Sequence, residues 1–394
     1  MSFIADLHLH SRFAYACSKS LNLTNMAAWA KVKGINLLSG ADFTHPAWLA
    51  ELEDNLTPVA DGYFQFDDMK FVLGTEVSCV FSQGSHSRRV HMLLFVPTFD
   101  VVHRIRAMLE GLGSKLSGDG RPIVGIPARE LAARLFDIDE SCMLVPAHIW
   151  TPWYGLLGSK SGFNSLEECF GDMAVHIPAV ETGLSSDPEM NWRVSGLKGK
   201  TIVSFSDAHS LPNMGRELTV FEGNASYHDL VAGLNGNLVE RTLEFFPEAG
   251  KYHFSGHRKC SVSQSADETA RFGNICPECG RPLTLGVVHR VQELSSETDW
   301  SEEGFNRPYT KLVPLIELVA YSMGKGRTAK PVSSAYQRIC AELGGEVKVL
   351  TQVGYDDLYQ VGGEDLAETV TKVRQGSVQI TAGFDGQYGV VQPE

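Results

Sequence analysis

At 394 residues, 43% of them hydrophobic, the chain is too long for one ordinary core and fits two or three domains. A formal net charge of −13 argues against a general nucleic-acid binder with a uniformly basic surface. No apolar stretch is long enough to span a bilayer and no basic segment followed by an apolar run opens the chain, so a soluble cytoplasmic protein without a membrane partner is expected.

The first predicted strand, Phe3 to His8, runs into Asp6-Leu7-His8-Leu9-His10, where two imidazoles at i and i+2 lie on one side and can hold one metal ion. Short apolar runs of buried-strand type follow at 36–40, 71–77, 90–96, 143–147, 179–182 and 201–204. Helical periodicity over 23–33, 101–112 and 128–135 falls between them. Metal-ligating residue types recur at the ends of these strands: Asp42 and His45, Glu76, His91, His148, and Asp207 with His209. An isolated His91 or His148 is ordinarily a core histidine, and membership in the ordered array is what turns the reading to metal. Repeated βα units over the first 245 or so residues favour a closed α/β barrel, whose catalytic groups gather at the C-terminal strand ends.

After Phe245 the alternation stops. His257-Arg258-Lys259-Cys260 and Cys276-Pro277-Glu278-Cys279-Gly280 form HxxC and CxxC knuckles, a tetrahedral ligand set for structural zinc, with His253 and His289 as rivals to His257. The other cysteines are scattered, which is reduced-compartment usage. Between Lys251 and Arg290 six basic residues outnumber three acidic ones, so local charge runs against the total. Beyond about residue 295 the chain reads as helical, with amphipathic segments at 312–323, 333–343 and 365–374, before a Gly-rich piece at 383–389. The expected division is therefore 1–245, 246–294 and 295–394.

The order DxHxH, DxxH, GTE, two isolated histidines and SDAH resembles the polymerase and histidinol phosphatase (PHP) superfamily, which implies a distorted seven-stranded β/α barrel with a multinuclear metal site. Gly40-Ala41-Asp42-Phe43-Thr44-His45-Pro46, Val180-Glu181-Thr182-Gly183 and Gly256-His257-Arg258-Lys259-Cys260, with Gly280-Arg281-Pro282-Leu283-Thr284, are narrower and resemble the endonuclease Q family. That family joins such a barrel to a zinc-binding insert and a C-terminal helical domain, and the likeness extends over nearly the whole chain. It implies a DNA repair endonuclease that cuts 5′ of uracil, hypoxanthine, xanthine or an abasic site. Carried over by position, one ion takes His8, His10, Glu76 and Asp207, and a second takes Glu76, His91 and His148 with Glu76 bridging. A third takes His45 and His209, although the histidine often found shortly after DxHxH is absent between Arg12 and Cys17. Asp6 and Asp42 are expected to orient imidazoles by accepting their second N–H.

Hydrolysis of a phosphodiester needs an activated water and compensation of charge on both oxygens, which metals about 3.5 to 4 Å apart supply. The catalytic set expected is Asp207, His209, His45 and Glu76. The mixed imidazole and carboxylate donors suit Zn²⁺ or Mn²⁺ better than Mg²⁺ alone, and Mg²⁺ or Mn²⁺ is an additional active-site candidate. Trp150, Trp153 and Tyr154 follow His148 and are candidates for stacking on a base turned out of the duplex, or else cap the barrel. Arg88, Arg258 and Arg281 are the basic candidates for damaged DNA, with a solvated hairpin face as the alternative for Arg88. A sliding clamp is a partner suited to a repair nuclease, but no convincing short motif marks one. Two other readings are a PHP phosphoesterase acting on small phosphate esters and an inactive binding scaffold.

Overall fold

The computed structural model describes residues 1–295 and 307–394. Its first strand, Ser2–Asp6, pairs in parallel with Leu37–Ser39 and antiparallel with Leu218–Glu222. Leu37–Ser39 pairs in parallel with Met69–Gln83, which turns through a long antiparallel hairpin into His86–Val96, and that strand pairs antiparallel with Met143–Pro146. Ala179–Glu181 and Thr201–Val203 form a separate parallel pair. The two sheets meet at both edges: Leu9 bridges Ala208, and the Ile149 N–H donates to the Glu181 carbonyl at 3.1 Å.

The near-continuous apolar strand runs have a physical cause. Within each run neighbouring side chains enter different layers: Leu37, Val72, Leu93 and Val145 join one buried cluster, while Leu38, Leu73, Leu94 and Leu144 join another. Helix Tyr227–Gly236 packs into the first layer, while helices Leu23–Lys33, Pro46–Asn55, Phe99–Gly111 and Ala128–Ile138 pack into the second. Helix Leu23–Lys33 starts where the sequence directs, with the Asn22 side chain accepting from the Asn25 N–H, and ends at Gly34 in the left-handed region.

The strand and helix segments expected from the sequence all form, but the strict βα alternation does not hold. Met69–Gln83 and His86–Val96 are joined by a tight turn at Gly84 with no helix between them, so this part of the sheet is antiparallel. A second difference concerns the third region, whose Tyr309–Leu312 is a strand in parallel register with Val239–Phe245. Helices Leu315–Ser322, Lys330–Leu343, Glu346–Thr351, Tyr355–Gly362 and Glu364–Arg374 follow. The Gly-rich piece joins the two strands of an antiparallel pair, Val378–Thr381 with Val390–Pro393. It returns to the segment after Phe245 through Gly383 N–H to Glu248 O (2.9 Å), Gly389 N–H to Ala249 O (3.0 Å) and Phe254 N–H to Gly383 O (3.0 Å).

Candidate metal centre

His8 and His10 continue from the end of Ser2–Asp6, and the Leu9 to Ala208 bridge brings the loop bearing Asp207 and His209 beside them. Glu76 lies within Met69–Gln83, His91 in the neighbouring strand opposite Ser78, and His148 just beyond Met143–Pro146. The Glu76 carboxylate is 2.6 Å from His91 Nδ1, 3.2 Å from His148 Nε2, 3.6 Å from His8 Nε2 and 3.5 Å from His10 Nε2. Asp207 Oδ1 stands 3.1 Å from His10 Nε2 and 3.5 Å from both His8 Nε2 and His209 Nδ1. Three donor groups result, each with its ligand atoms within 4.8 Å of one another: His8, His10 and Glu76; Glu76, His91 and His148; and His10, Asp207 and His209. Asp42, His148 and Asp207 have φ values of 35°, 30° and 45°, so backbone strain is concentrated at this site.

The imidazoles are aimed from behind. His8 Nδ1 donates to Glu181 at 2.9 Å, leaving His8 Nε2 buried and without a hydrogen-bond partner among the described residues, turned toward Glu76 and Asp207. His10 Nδ1 faces Asp42 Oδ1 at 3.2 Å, and the other Asp42 oxygen accepts from the Ser11 N–H at 2.6 Å. Burial alone would raise the Glu76 carboxyl, but the imidazoles of His91 and His8 hold it well below the usual carboxylate range. Burial pushes the His91 imidazole down to about 4, leaving a neutral nitrogen donor, against the pull of Glu76. For His8 burial opposes the charged form, yet Glu181, Asp207 and Glu76 together hold its pKa well above the ordinary imidazole value. Buried carboxylates that demand compensating positive charge, with an unpartnered imidazole nitrogen turned toward them, fit divalent metal ions of the kind that accept imidazole and carboxylate.

Several expectations require correction. Asp6 orients no imidazole: its two oxygens accept the N–H groups of Ser206 (3.0 Å) and Gly215 (2.8 Å) and so tie down the loop that carries Asp207 and His209. His209 groups with His10, not with His45, whose ring stacks on Phe13 at a centroid distance of 4.4 Å and joins none of the donor groups found among the described residues. Trp150 is fully buried and donates its indole N–H to Asn191, so it is a core residue rather than a base contact. The Tyr154 ring is packed 4.4 Å from that of His91. Arg88 is occupied by Gly162 O, Glu168 and the Phe163 ring, which removes it from the DNA candidates. Trp153 is 39% exposed and meets Tyr252 edge-on at 5.6 Å.

His257, Cys260, Cys276 and Cys279 form a fourth group, with Cys279 Sγ 3.3 Å from His257 Nδ1. His253 and His289 lie outside it, and His289 instead pairs with Glu293 at 3.3 Å. The Cys276 knuckle closes through Gly280 N–H to Cys276 O (2.9 Å), and Gly280 has φ of 71°, a turn that favours glycine. Arg258 and Arg281 are exposed.

Sequence reasoning missed three residues. Glu181, quoted only within the Val180-Glu181-Thr182-Gly183 motif, supports His8; Arg216 donates to the carbonyls of Ser206 (2.8 Å) and Asp207 (3.2 Å); and Arg121 Nη1 reaches Glu76 at 3.2 Å. Only Glu181, at the end of an apolar run like the other donors, carried a sequence signal. A cavity of about 840 Å³ opens beside His148, Asp207 and His209 and is also walled by Tyr252, Val313 and Tyr388. A groove of about 910 Å³ lies at the opposite end of Met143–Pro146 and includes none of the donors.

These features define an α/β protein with a buried multi-donor candidate metal centre at the mouth of a cavity. Its chain is similar over 100% of its length to the crystal structure of the lesion-specific endonuclease PfuEndoQ from Pyrococcus furiosus, with 29% identity, 96% of that chain covered and a TM-score of 0.88. A crystal structure of endonuclease Q with a 27-mer duplex substrate bearing an abasic lesion at the active site is 30% identical, with 100% of this chain and 97% of that one covered and a TM-score of 0.89. The chain belongs to the endonuclease Q family. Residues 314–377 match the family described as the MJ0043 C-terminal domain. The protein MJ0043 of Methanocaldococcus jannaschii is 30% identical over 61% of this chain, a match that spans 31% of that relative's length. No helix among the described residues is long and apolar enough to cross a membrane.

Proposed function

We propose that this chain is a lesion-specific DNA repair endonuclease that hydrolyses the phosphodiester 5′ of uracil, hypoxanthine, xanthine or an abasic site. In this reading residues 1–245 are the seven-stranded PHP barrel, 246–294 a structural-zinc module held by His257, Cys260, Cys276 and Cys279, and 295–394 a helical domain of a soluble cytoplasmic protein. The observation that carries the reading is the Glu76 carboxylate shared by two donor groups beside an open cavity. The family's complex with abasic duplex supports damaged DNA as the substrate.

Zn²⁺ or Mn²⁺ suits His8, His10, Glu76, His91 and His148, and Mg²⁺ or Mn²⁺ suits the more open group of His10, Asp207 and His209. Metal ions held by these residues would supply an activated water and would compensate charge on the attacking and leaving oxygens. Glu181 and Asp42 hold the imidazoles in one orientation so that their Nε2 atoms converge. Asp207 and His209 form part of the open rim and meet the scissile phosphate. Trp153 and Tyr252 present an aromatic surface at the cavity for an extruded base, while Arg258 and Arg281 neutralise DNA phosphates.

The test uses end-labelled duplexes with a single uracil, hypoxanthine, xanthine or abasic site, or none, in Mg²⁺ or Mn²⁺, beside Asp207→Ala. One cut immediately 5′ of the lesion, missing from the control duplex and the variant, is expected. Turnover of a simple phosphate monoester with every duplex intact would instead establish a small-molecule phosphoesterase.

A further inference from the structure

Arg121 reaches the donor array from a loop, not a strand. In Ser117-Gly118-Asp119-Gly120-Arg121 the Gly120 N–H donates to Phe13 O at 3.2 Å, and the Thr44 hydroxyl donates to Gly120 O at 3.1 Å. A Cβ at position 120 would run into the Asp42 carboxylate, so glycine is what lets the loop press against the residue that supports His10. Asp119 Oδ1 accepts the N–H groups of Arg121 (3.1 Å) and Tyr15 (3.0 Å) and fixes the turn. The Arg121 guanidinium is thereby delivered to Glu76 Oε2 at 3.2 Å.

Exposure separates two sides of the array. The side chains of His8, His10 and Glu76 are 0% exposed, whereas those of Asp207, His209 and Arg121 are 26%, 31% and 19% exposed. Asp207 and His209 line the cavity, and Arg121 is the partly exposed cation beside Glu76. Among the described residues the guanidinium donates only through Nη1, to Glu76, which also faces four imidazoles within 3.6 Å, so the Arg121 Nε and Nη2 groups are free for another acceptor. Beside divalent ions that would share the Glu76 charge, the guanidinium gains further from a second anion lodged against it. A phosphodiester is such an anion, and its two non-bridging oxygens match the planar fork of arginine.

We infer that Arg121 is a catalytic residue that grips a non-bridging oxygen of the scissile phosphate and compensates the charge that builds there in the transition state. The inference rests on the phosphodiesterase reading above. A merely structural Arg121 would hold Glu76 and touch no substrate.

The test compares wild type, Arg121→Met and Arg121→Lys on a uracil duplex, with bound metal counted by plasma mass spectrometry. Arg121→Met is expected to keep its metal and to lose about 100- to 1,000-fold in kcat, in line with removal of one transition-state donor. Arg121→Lys should recover part of that loss by restoring the charge without the fork. Affinity is then measured by anisotropy with Ca²⁺ replacing the activating ion and the absence of cutting checked on a gel, using duplexes with an ordinary phosphate or a neutral methylphosphonate at the scissile position. Neutralising the phosphate should weaken wild type at least about fivefold more than Arg121→Met, the size of an ordinary coupling between contacting groups. Equal weakening in both proteins overturns the inference, as does loss of metal from Arg121→Met with activity restored by excess metal. If wild type cuts no lesion duplex, the functional reading itself falls; if wild type and Arg121→Met cut alike, only the role of Arg121 does.

Discussion

Glu181 shows how much one carboxylate can decide. It receives His8 Nδ1 at 2.9 Å and also accepts the His148 N–H at 2.7 Å, so one side chain fixes an imidazole in one donor group and the backbone of a donor in another. Glu181→Gln is expected to lower metal affinity about 10- to 100-fold, as loss of an outer partner of a metal-bound histidine does, measured by competition with a chelating dye. The donor array itself was legible because chemistry at strand ends obeys a simple rule: His8 and His10 alternate with Leu7 and Leu9, which are buried. Glu181 and Arg121 were not assigned because their roles come from pairings across 173 and 45 positions that no local pattern encodes. Trp150 misled for a related reason: adjacency to His148 in sequence says nothing of which way the indole turns, and the Asn191 acceptor turns it inward.

At the level of elements, the knuckles were the most readable unit, since HxxC and CxxC each bring two donors around one ion within a single turn. The short antiparallel pair Ser255–His257 with Val262–Gln264 then supplies the frame, and Thr284 and Gly256 exchange N–H bonds of 2.9 Å to close it. Cys276→Ser is expected to cost one zinc per chain and lower the thermal midpoint, since binding energy at a structural site is folding energy, while the metal of the His8 array stays in place. Metal analysis together with a thermal scan checks both parts. The hairpin from Met69 to Val96 was the least readable element, because its two strands were read as separate short runs on either side of residues 78–89, whose polar tip runs from Ser82 to Arg89. That polar tip leaves the apolar layers, so periodicity fades there although the pairing continues to Gln83 and His86.

Across the whole molecule, the helical region is locked to the strand-rich region by a buried ionic knot. Lys33 Nζ lies 2.6 Å from Glu346 Oε2 and donates to the Pro212 carbonyl at 3.1 Å, in the loop after His209, while Glu346 accepts the Leu315 N–H at 2.9 Å and the Tyr336 hydroxyl at 2.5 Å. Both charges are almost wholly buried, at 1% and 2% side-chain exposure. Lys33→Met or Glu346→Gln alone should destabilise by about 3 to 5 kcal/mol by stranding the other group, and the double variant should recover much of that loss; urea unfolding of all four proteins measures it. Arg327 adds a second tie to the same loop through Asn213 at 2.9 Å.

The return of the chain through Gly383 and Gly389 gives the molecule a timetable. Donors up to His209 and the cavity wall at Tyr388 to Val391 are separated by some 180 residues of synthesis, on the order of ten to thirty seconds at a ribosome's pace of about 5 to 20 residues per second. For that interval a nascent chain carries every group of the metal centre but only an unfinished vessel around it. Translation therefore supplies the last wall of the cavity only after every candidate donor has been synthesised.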